Sequence, residues 1–516
     1  MADAPKVTLA VVNGKVWPPR EGATAVAVAG DRIAASGSDE HVRSACDRRT
    51  RVIDARHGTI LPAFNDAHVH FLMASRSLSE LNLYGAETQP EVERRIAAYA
   101  ASHRGPWIVG RGWFYSAFAG GMPTVELLDR LVPDRPAFIE SFDAHTGWAN
   151  TRALAASGVA SIGVLKEAAM LGVTRYIPAR SNAEDLDALR AGMRLAAEHG
   201  IGSVQEAGEG QDQLGLWDAL RDADELTLRV RLAFDMAPGD SEAWKERLDR
   251  YEELERGRET NPWIATGILK AFADGVVESR TAAMLEPYQG TSELGAPLWA
   301  GDELAHAVQA ADARGWQVQV HAIGDGAIRQ ALDAFATTTS ERRHRIEHIE
   351  APSPLDISRF AELGVIASMQ PQHAEPNRNL FEMWLPNLGT ERAAYGWAWR
   401  SILHSGARLA FGTDWPVVPL DPAASLHVAV TRQTRAGEPA GGWLPDQRLK
   451  LAEALAAWTV GGAFAEHSDN RKGTLGDGML ADIAVLDRDI LATPAAELHA
   501  LKVTATIVGG RVVYEG

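Results

Sequence analysis

Short apolar segments alternate with longer helical patterns through the middle of this 516-residue chain, and this alternation constrains the fold more than any other feature. Such alternation is typical of parallel βα units. Eight segments have the length and the Val, Ile and Ala content of buried strands: Thr59–Asn65, Gly202–Glu206, Arg229–Asp235, Thr266–Phe272, Trp316–His321, His344–His348, Gly364–Gln370 and Ala407–Phe411. Because eight βα units fit a closed barrel, we predict an α/β fold of the (β/α)8 TIM-barrel type, with the functional site at the carboxyl ends of its strands.

The two ends of the chain differ from the middle. Residues 1–58 and 472–516 consist of short apolar runs broken by turn signals such as Asn13-Gly14. We predict that these ends form one small composite β-sandwich domain, which leaves residues 59–471 for the barrel. The interval after the first strand is too long for one helix, so residues from about 72 to 190 are predicted to be an α/β insertion over the barrel mouth.

Charge and cysteine content narrow the function classes. The chain has 51 basic and 68 acidic residues and a net charge of −17, which argues against nucleic acid or an anionic membrane as a partner. The absence of a long apolar run and of a signal-peptide pattern favours a cytoplasmic location. With Cys46 as the only cysteine, a metal ion would be held by nitrogen and oxygen ligands. We expect a small-molecule substrate and a homodimer.

Four of the 16 histidines and one aspartate fall at predicted strand ends. His68 and His70 follow the first strand, at a spacing that places both rings on one face of an extended backbone. His321 and His348 end the fifth and sixth strands, and Asp414 follows the eighth. Because these strand ends meet at one mouth, the five side chains predict a metal site, and imidazole is a suitable ligand of Zn, Fe or Ni.

Lys270 lies inside the predicted fourth strand, in ILKAFADG. A lysine in a buried apolar strand loses hydration energy unless it pairs with a carboxylate, such as Asp274 or Glu206, or changes chemically. Reaction of the amine with CO2 is one such change, and the resulting carbamate could bridge two metal ions. The residues alone leave the ion pair and the carbamate equally open.

These residues resemble those of a known protein family. The ordered set of histidines, lysine and aspartate resembles that of the amidohydrolase superfamily of metal-dependent hydrolases. The flanking sequence is similar to the subgroup called amidohydrolase family 3, in segments that span nearly the whole chain: LPAFNDAHVH, GRGWFYSAF, FDAHTGWANTRAL, ILKAFADGVVESRTA, VHAIGDGAI, RIEHIE, SMQPQH, FGTDWPV and KGTLGDGMLADIAVLD.

The resemblance implies a ligand set for one or two divalent metal ions, expected to be Zn²⁺. One ion would bind His68, His70 and Asp414. A second would bind His321 and His348, with carbamylated Lys270 as the bridge between the ions. In some similar families a glutamate from another strand replaces the lysine, and Glu206 is the alternative ligand here.

The resemblance and metal chemistry together imply hydrolysis of an amide-type C–N bond, in an N-acyl, N-formyl, carbamate or cyclic amide substrate. A bound metal lowers the pKa of its water and polarises a carbonyl. Asp414 is the expected general base and acid, and His348 is the second residue expected to be catalytic. The alternatives are an ester or lactone hydrolase, a deaminase, or a non-catalytic binding protein that retains the fold.

Position in the sequence also predicts substrate contacts, namely Trp113, His145, Asn150, Arg280, Gln370 and His373. Structural roles stay open for three of them. Asn150 could instead cap a helix, Trp113 could belong to the core of the insertion, and Arg280 could form an ordinary salt bridge. The aromatic residues of the insertion favour an apolar or aryl substituent on the substrate.

Overall fold

An eight-stranded parallel sheet lies at the centre of the computed structural model, which describes residues 6–19, 21–239, 241–258 and 261–516. The sheet closes beyond its last strand, where the Asp414 N–H donates to the His68 carbonyl at 2.7 Å and the His70 N–H donates to the Trp415 carbonyl at 2.9 Å. The predicted (β/α)8 barrel is therefore confirmed. Its strands, in chain order, are β1 Phe64–Val69, β2 Ile201–Glu206, β3 Arg229–Met236, β4 Ile264–Phe272, β5 Gln317–Ala322, β6 Arg345–His348, β7 Ile366–Met369 and β8 Leu409–Phe411.

The first predicted strand, Thr59–Asn65, is two strands in the structure. Thr59–Pro62 pairs antiparallel with Ile483–Leu486 in a different sheet, and the barrel strand begins only at Phe64. An unbroken apolar run does not show where the chain leaves one sheet for another, so this detail of the prediction was wrong. His68 consequently lies within β1 and not after it.

Helices cover the outside of the barrel, with apolar faces that pack on the strands in one large buried cluster. The helix Asn182–Glu198, for example, begins with a capping box between Ser181 and Glu184 and buries Leu189 and Met193. None of the helices in these described ranges is long and apolar enough to cross a bilayer. The others around the barrel are Phe71–Ser77, Gly210–Asp222, Ser241–Glu255, Glu303–Ala313, Asp325–Phe335, Ile357–Glu362, Leu385–Leu388, Thr390–Ala393, Trp399–His404, Pro422–Thr431, Leu451–Ala456 and Gly462–Ala465.

The two ends of the chain form two further sheets with a shared apolar cluster, to which Val26 and Ile53 contribute from one sheet and Ile60 and Ile507 from the other. The first sheet comprises Leu9–Val12, Ala25–Ala29, Arg32–Gly37 and Arg51–Asp54, with the helix Asp39–Ser44 beside it. The second comprises Lys15–Val16, Thr59–Pro62, Ile483–Leu486, Val503–Val508 and Arg511–Glu515. Residues 1–5 and 20 of the predicted terminal domain lie outside the described residues.

The segment between β1 and the helix Asn182–Glu198 folds around its own five-stranded sheet and its own apolar clusters. Loops that follow two of its strands reach the barrel mouth, where Phe114, Phe142 and Asp143 line a cavity. The sheet comprises Leu81–Asn82, Ile108–Trp113, Ala137–Ser141, Thr146–Ala149 and Val164–Lys166, and the helices are Gln89–Ser102, Val125–Leu131, Thr151–Ser157 and Leu171–Thr174.

Candidate metal centre

Three of the predicted ligands form a tight cluster at the barrel mouth. A ring nitrogen of His68, a ring nitrogen of His348 and a carboxylate oxygen of Asp414 lie within 4.8 Å of one another, and all three residues are buried. Among the residues that the structure describes, no other group of three or more histidine, cysteine or acidic side chains is placed to hold a metal ion. Strands β1 and β6 and the turn after β8 bring these residues together from distant parts of the chain.

The backbone at this cluster is locally strained. His348 has a φ of 72° and Asp414 a φ of 61°, in the left-handed region that non-glycine residues rarely adopt. A side chain held in that region costs about 1–3 kcal/mol, and the surrounding structure must compensate for it. Such residues concentrate at functional sites, because the unusual conformation directs their side chains where regular backbone would not.

His68 is oriented by a carboxylate on the side away from the mouth. Its Nδ1 lies 2.6 Å from Glu347 Oε2, and both side chains are fully buried. Glu347 in turn lies 2.8 Å from Nε of Arg345. A histidine fixed in this way by a carboxylate presents its other nitrogen to a metal. Glu347 was not among the predicted site residues, although the alternation of β6 places it on the same inward face as Arg345.

Asp414 carries an unpaired oxygen in the middle of the cluster. Its Oδ1 is buried without a hydrogen-bond partner and lies 3.5 Å from Nε2 of both His68 and His70. Burial raises the pKa of Asp414 to about 6, although His373 and Lys270 act in the opposite direction. A buried carboxylate oxygen that lacks a hydrogen-bond partner and lies beside two imidazole nitrogens is satisfied by a divalent cation, so this donor set fits a metal ion.

His321 and His348 lie side by side, with ring centroids 4.5 Å apart. Nε2 of His321 lies 3.2 Å from the Gly275 carbonyl oxygen and 3.6 Å from Asp274 Oδ1, and Nδ1 of His348 lies 2.9 Å from Gln370 Oε1. Burial holds the pKa of both rings well below the usual range, so both are neutral. Each ring therefore has one nitrogen fixed by the protein and one left for a ligand.

Lys270 lies beside this cluster, with its Nζ 3.4 Å from Nε2 of His68. The amine also lies 4.6 Å from the centroid of the Phe272 ring. Within the described residues no carboxylate reaches it at ion-pair distance, so neither Asp274 nor Glu206 neutralises it in the structure. Burial lowers the pKa of Lys270 to about 8, which increases the fraction of neutral, nucleophilic amine.

Glu206, the alternative ligand, has a local structural role. Its Oε2 accepts hydrogen bonds from the Phe71 N–H at 2.7 Å and from the Leu72 N–H at 3.3 Å, at the start of the helix Phe71–Ser77. A carboxylate in this position satisfies amides that a helix leaves free at its first turn. Burial raises the pKa of Glu206 to about 8.

Two of the predicted substrate contacts belong to the interior of the inserted segment. Trp113 is buried there, and its Nε1 donates to the Ile139 carbonyl at 3.0 Å. Asn150 caps the helix Thr151–Ser157, since its Oδ1 accepts from the Ala153 N–H at 2.9 Å. Neither side chain reaches the cavity, because core packing and capping already use it.

Two more of the predicted substrate contacts bind other protein groups in the structure. Arg280 is exposed, where its Nε donates to Asn387 Oδ1 at 2.9 Å and its Nη1 lies 3.6 Å from a carboxylate oxygen of Glu293. This is the surface interaction that was the alternative to substrate binding. Gln370 is buried against His348 and orients that ring from behind, so its contact is with a predicted metal ligand.

His145 and His373 do line the cavity beside the cluster. His145 Nδ1 lies 2.8 Å from Glu167 Oε2. Burial opposes a charge on His145, but the hydrogen bond and the attraction of Glu167 outweigh burial and raise the pKa of His145 to about 9. His373 lies between two carboxylates, with Nδ1 3.4 Å from Glu350 Oε1 and Nε2 3.6 Å from Asp414 Oδ2.

Comparisons with known proteins agree with this geometry. A sequence model of the amidohydrolase family matches residues 51–514. Protein LONG AFTER FAR-RED 3 of Arabidopsis thaliana is 29% identical, over 98% of this chain and 91% of its own length. The N-substituted formamide deformylase of Arthrobacter pascens is 26% identical, over 96% of this chain and 95% of its own length. The solved structure of an uncharacterized metal-dependent hydrolase from Pyrococcus horikoshii OT3 superposes with a TM-score of 0.76 at 25% identity, covering 94% of this chain and 99% of that one.

Proposed function

The chain belongs to the amidohydrolase family and is a metal-dependent hydrolase, and we propose that it cleaves an amide-type C–N bond in an N-acyl, N-formyl, carbamate or cyclic amide substrate. The observation that carries this proposal is the unpaired Oδ1 of Asp414, buried between His68 and His70 at the carboxyl ends of the barrel strands. The similarity to an N-substituted formamide deformylase along nearly the whole chain supports the choice of bond.

The proposed metal is Zn²⁺, as one or two ions. One ion would be held by His68, His70 and Asp414, and a second by His321, His348 and carbamylated Lys270. The position of Lys270 beside His68, without a carboxylate partner, supports carbamylation, because a neutral amine is the form that reacts with CO2. When bound, the metal supplies a water of lowered pKa and a Lewis acid for the substrate carbonyl.

Asp414 moves the proton in this scheme. Its carboxylate accepts a proton from the attacking water and delivers it to the leaving nitrogen, which would otherwise depart as a poor amide anion. His373 Nε2 lies 3.6 Å from the other carboxylate oxygen, Oδ2.

His348 and His145 have supporting roles. His348 is fixed through Nδ1 by Gln370, so its remaining nitrogen is held ready for a ligand. His145 bears a positive charge in the same cavity, where it stabilises the negative charge that develops on the carbonyl oxygen. In this proposal a proton acceptor, Asp414, and a positive group, His145, line one cavity.

The test is a panel of N-formyl, N-acyl and carbamate substrates, together with lactones and esters, assayed with metal-loaded and chelator-treated enzyme. We expect metal-dependent release of an amine from at least one C–N substrate. Metal-dependent turnover confined to lactones or esters would contradict the proposed bond, and the absence of any metal-dependent turnover would contradict the whole proposal. Anomalous scattering at the metal edges would give the identity and number of the ions.

A further inference from the structure

One side of the cavity carries three carboxylates that the proposed chemistry does not use. Asp143, Glu278 and Glu350 line the cavity, and we call these three side chains the acidic face. They come from the inserted segment, from the loop after β4 and from the loop after β6. The same cavity is lined by His348 and Asp414, so a small molecule that reaches the metal cluster also meets the acidic face.

The acidic face is only partly neutralised, by two histidines: His145 bears a positive charge in the same cavity, and His373 Nδ1 lies 3.4 Å from Glu350 Oε1. No lysine or arginine of the described residues lines this part of the cavity, although Lys270 lines the adjoining part together with His348 and Asp414. Glu278 accepts from Asn379 Nδ2 at 3.1 Å and Glu350 accepts from Trp384 Nε1 at 3.0 Å, and both donors are uncharged. Burial, and then repulsion from Glu350 and Asp143, holds the pKa of Glu278 well above its usual range. A positively charged ligand would relieve this repulsion.

Two residues that line the cavity each carry a hydrogen-bond acceptor without a partner. Asp143 is only 8% exposed; its Oδ1 accepts from the His145 N–H at 3.1 Å, while its Oδ2 is buried and unpaired. Asn379 is only 5% exposed, and because its amide nitrogen donates to Glu278, its free and buried atom is the acceptor Oδ1. Unpaired buried acceptors cost free energy, so this side of the cavity fits a ligand with several N–H donors.

Aromatic rings complete the pocket. Phe114 lies 4.9 Å from Phe142 and 5.4 Å from Tyr84 between ring centroids, and all three line the cavity. Aromatic faces attract cations, in addition to excluding water. The three carboxylates are not close enough together to hold a metal ion, since among the described residues only the cluster around Asp414 is. The ligand that fits is therefore an organic cation.

We propose that the substrate carries a protonated amine or an amidinium group, which the acidic face binds while the scissile amide lies at the metal cluster. This inference rests on the proposed function, because the cation is placed relative to a cleavable amide. Glu278 supplies the carboxylate that pairs with the cation. The unpaired oxygens of Asp143 and Asn379 accept the N–H donors of the cation, and Phe114 packs against its carbon skeleton.

The first experiment measures binding without a reaction. Phenethylammonium and phenethyl alcohol have nearly the same shape and differ in charge, and calorimetry on the purified metal-containing enzyme gives the affinity of each. We expect the cation to bind about tenfold tighter or more, the effect of a charged hydrogen bond. The preference should disappear in Glu278→Gln and persist in Glu293→Gln, a matched change at an exposed carboxylate outside the cavity. Glu350→Gln serves as the second variant if Glu278→Gln does not fold.

The second experiment compares the turnover of N-formylcadaverine with that of N-formylhexylamine. The first substrate carries an ammonium group where the second carries a methyl group, at the same distance from the amide. We expect kcat/KM to favour the cationic substrate by about tenfold or more, and Glu278→Gln to remove that preference.

The outcomes separate the two proposals. Equal binding of the cation and the alcohol overturns the cation site. A preference for the cation that survives in both Glu278→Gln and Glu350→Gln also overturns it, and would point to direct binding of the amine by the metal. Turnover of amides without a preference for the cation also overturns the site and leaves the proposed function intact. A binding preference that depends on Glu278, without turnover of any amide, supports the site and contradicts the proposed function.

Discussion

The interior of the barrel and its mouth both bury charged side chains, and the two regions differ in how those charges are paired. In the interior, Arg345 lies 2.8 Å from Glu347, and Lys472 lies 2.6 Å from Glu466. At the mouth, Asp414 keeps a buried oxygen without a hydrogen-bond partner. The interior carboxylates therefore have a positive charge within 3 Å, whereas Oδ1 of Asp414 lies 3.5 Å from two histidine nitrogens, and a bound cation would complete it.

The largest effect is expected at the mouth, from Asp414→Asn. Loss of the proton acceptor should lower kcat by about a thousandfold or more, while the chain stays folded because the amide has the same shape. Turnover of an active substrate, together with circular dichroism, checks this. Asp446→Asn, a matched change at an exposed aspartate, should retain full activity. An unchanged kcat in Asp414→Asn would remove this residue from the proposed mechanism.

In the interior, Glu347→Gln should act on both stability and metal binding. The change leaves Arg345 buried without its carboxylate, at a cost of about 3–5 kcal/mol in the free energy of unfolding. It also weakens the hydrogen bond that orients His68, which should reduce metal affinity by about 10–100-fold. Denaturant unfolding and metal titration measure the two effects, with Glu362→Gln at an exposed position as the control. A loss of metal affinity without a loss of stability would show that the interior pair does not support the fold.

The ion pair between His145 and Glu167 at the barrel mouth should make the stability of the protein depend on pH. Its pKa is raised in the folded state to about 9, against about 6.5 in the unfolded chain. The stability that the charged ring contributes is therefore complete below about pH 6.5 and declines as the pH rises through about 9. We expect the free energy of unfolding of the wild type to exceed that of His145→Gln by on the order of 2 kcal/mol at low pH and by much less at alkaline pH. A difference in unfolding free energy that does not change with pH would contradict the ion pair with Glu167.

The smallest effect is expected from Trp113→Phe in the inserted segment. This change removes the hydrogen bond to the Ile139 carbonyl and should cost about 1 kcal/mol in stability. Since Trp113 does not reach the cavity, kcat and KM should stay at the wild-type values. A change in KM would show that the core of the inserted segment is coupled to the mouth.

The sequence predicted the barrel and the metal cluster because both depend on local patterns. Strand and helix periods are visible in short windows, and the rule that strand ends meet at one mouth then brings His68, His348 and Asp414 together. Glu347 could have been found by the same alternation, since it lies on the inward face of β6.

The remaining part of the site depends on packing that local patterns do not show. An aromatic residue of the inserted segment has the same pattern whether it lies in a core, as Trp113 does, or in a cavity wall, as Phe114 does. The carboxylates Asp143, Glu278 and Glu350 sit on three separate loops, and only the docking of those loops over the barrel makes them neighbours. Their meeting could not be predicted from spacing.

The left-handed backbone at His348 and Asp414 has a consequence for evolution in the laboratory. Glycine or asparagine tolerates that conformation better, so replacement of either residue should relieve strain and increase thermal stability. A selection for heat resistance alone would therefore tend to discard these two side chains, whereas a selection that also demands growth on the substrate would keep them. Positions at which the two selections disagree would mark the reactive centre without any assay of the chemistry.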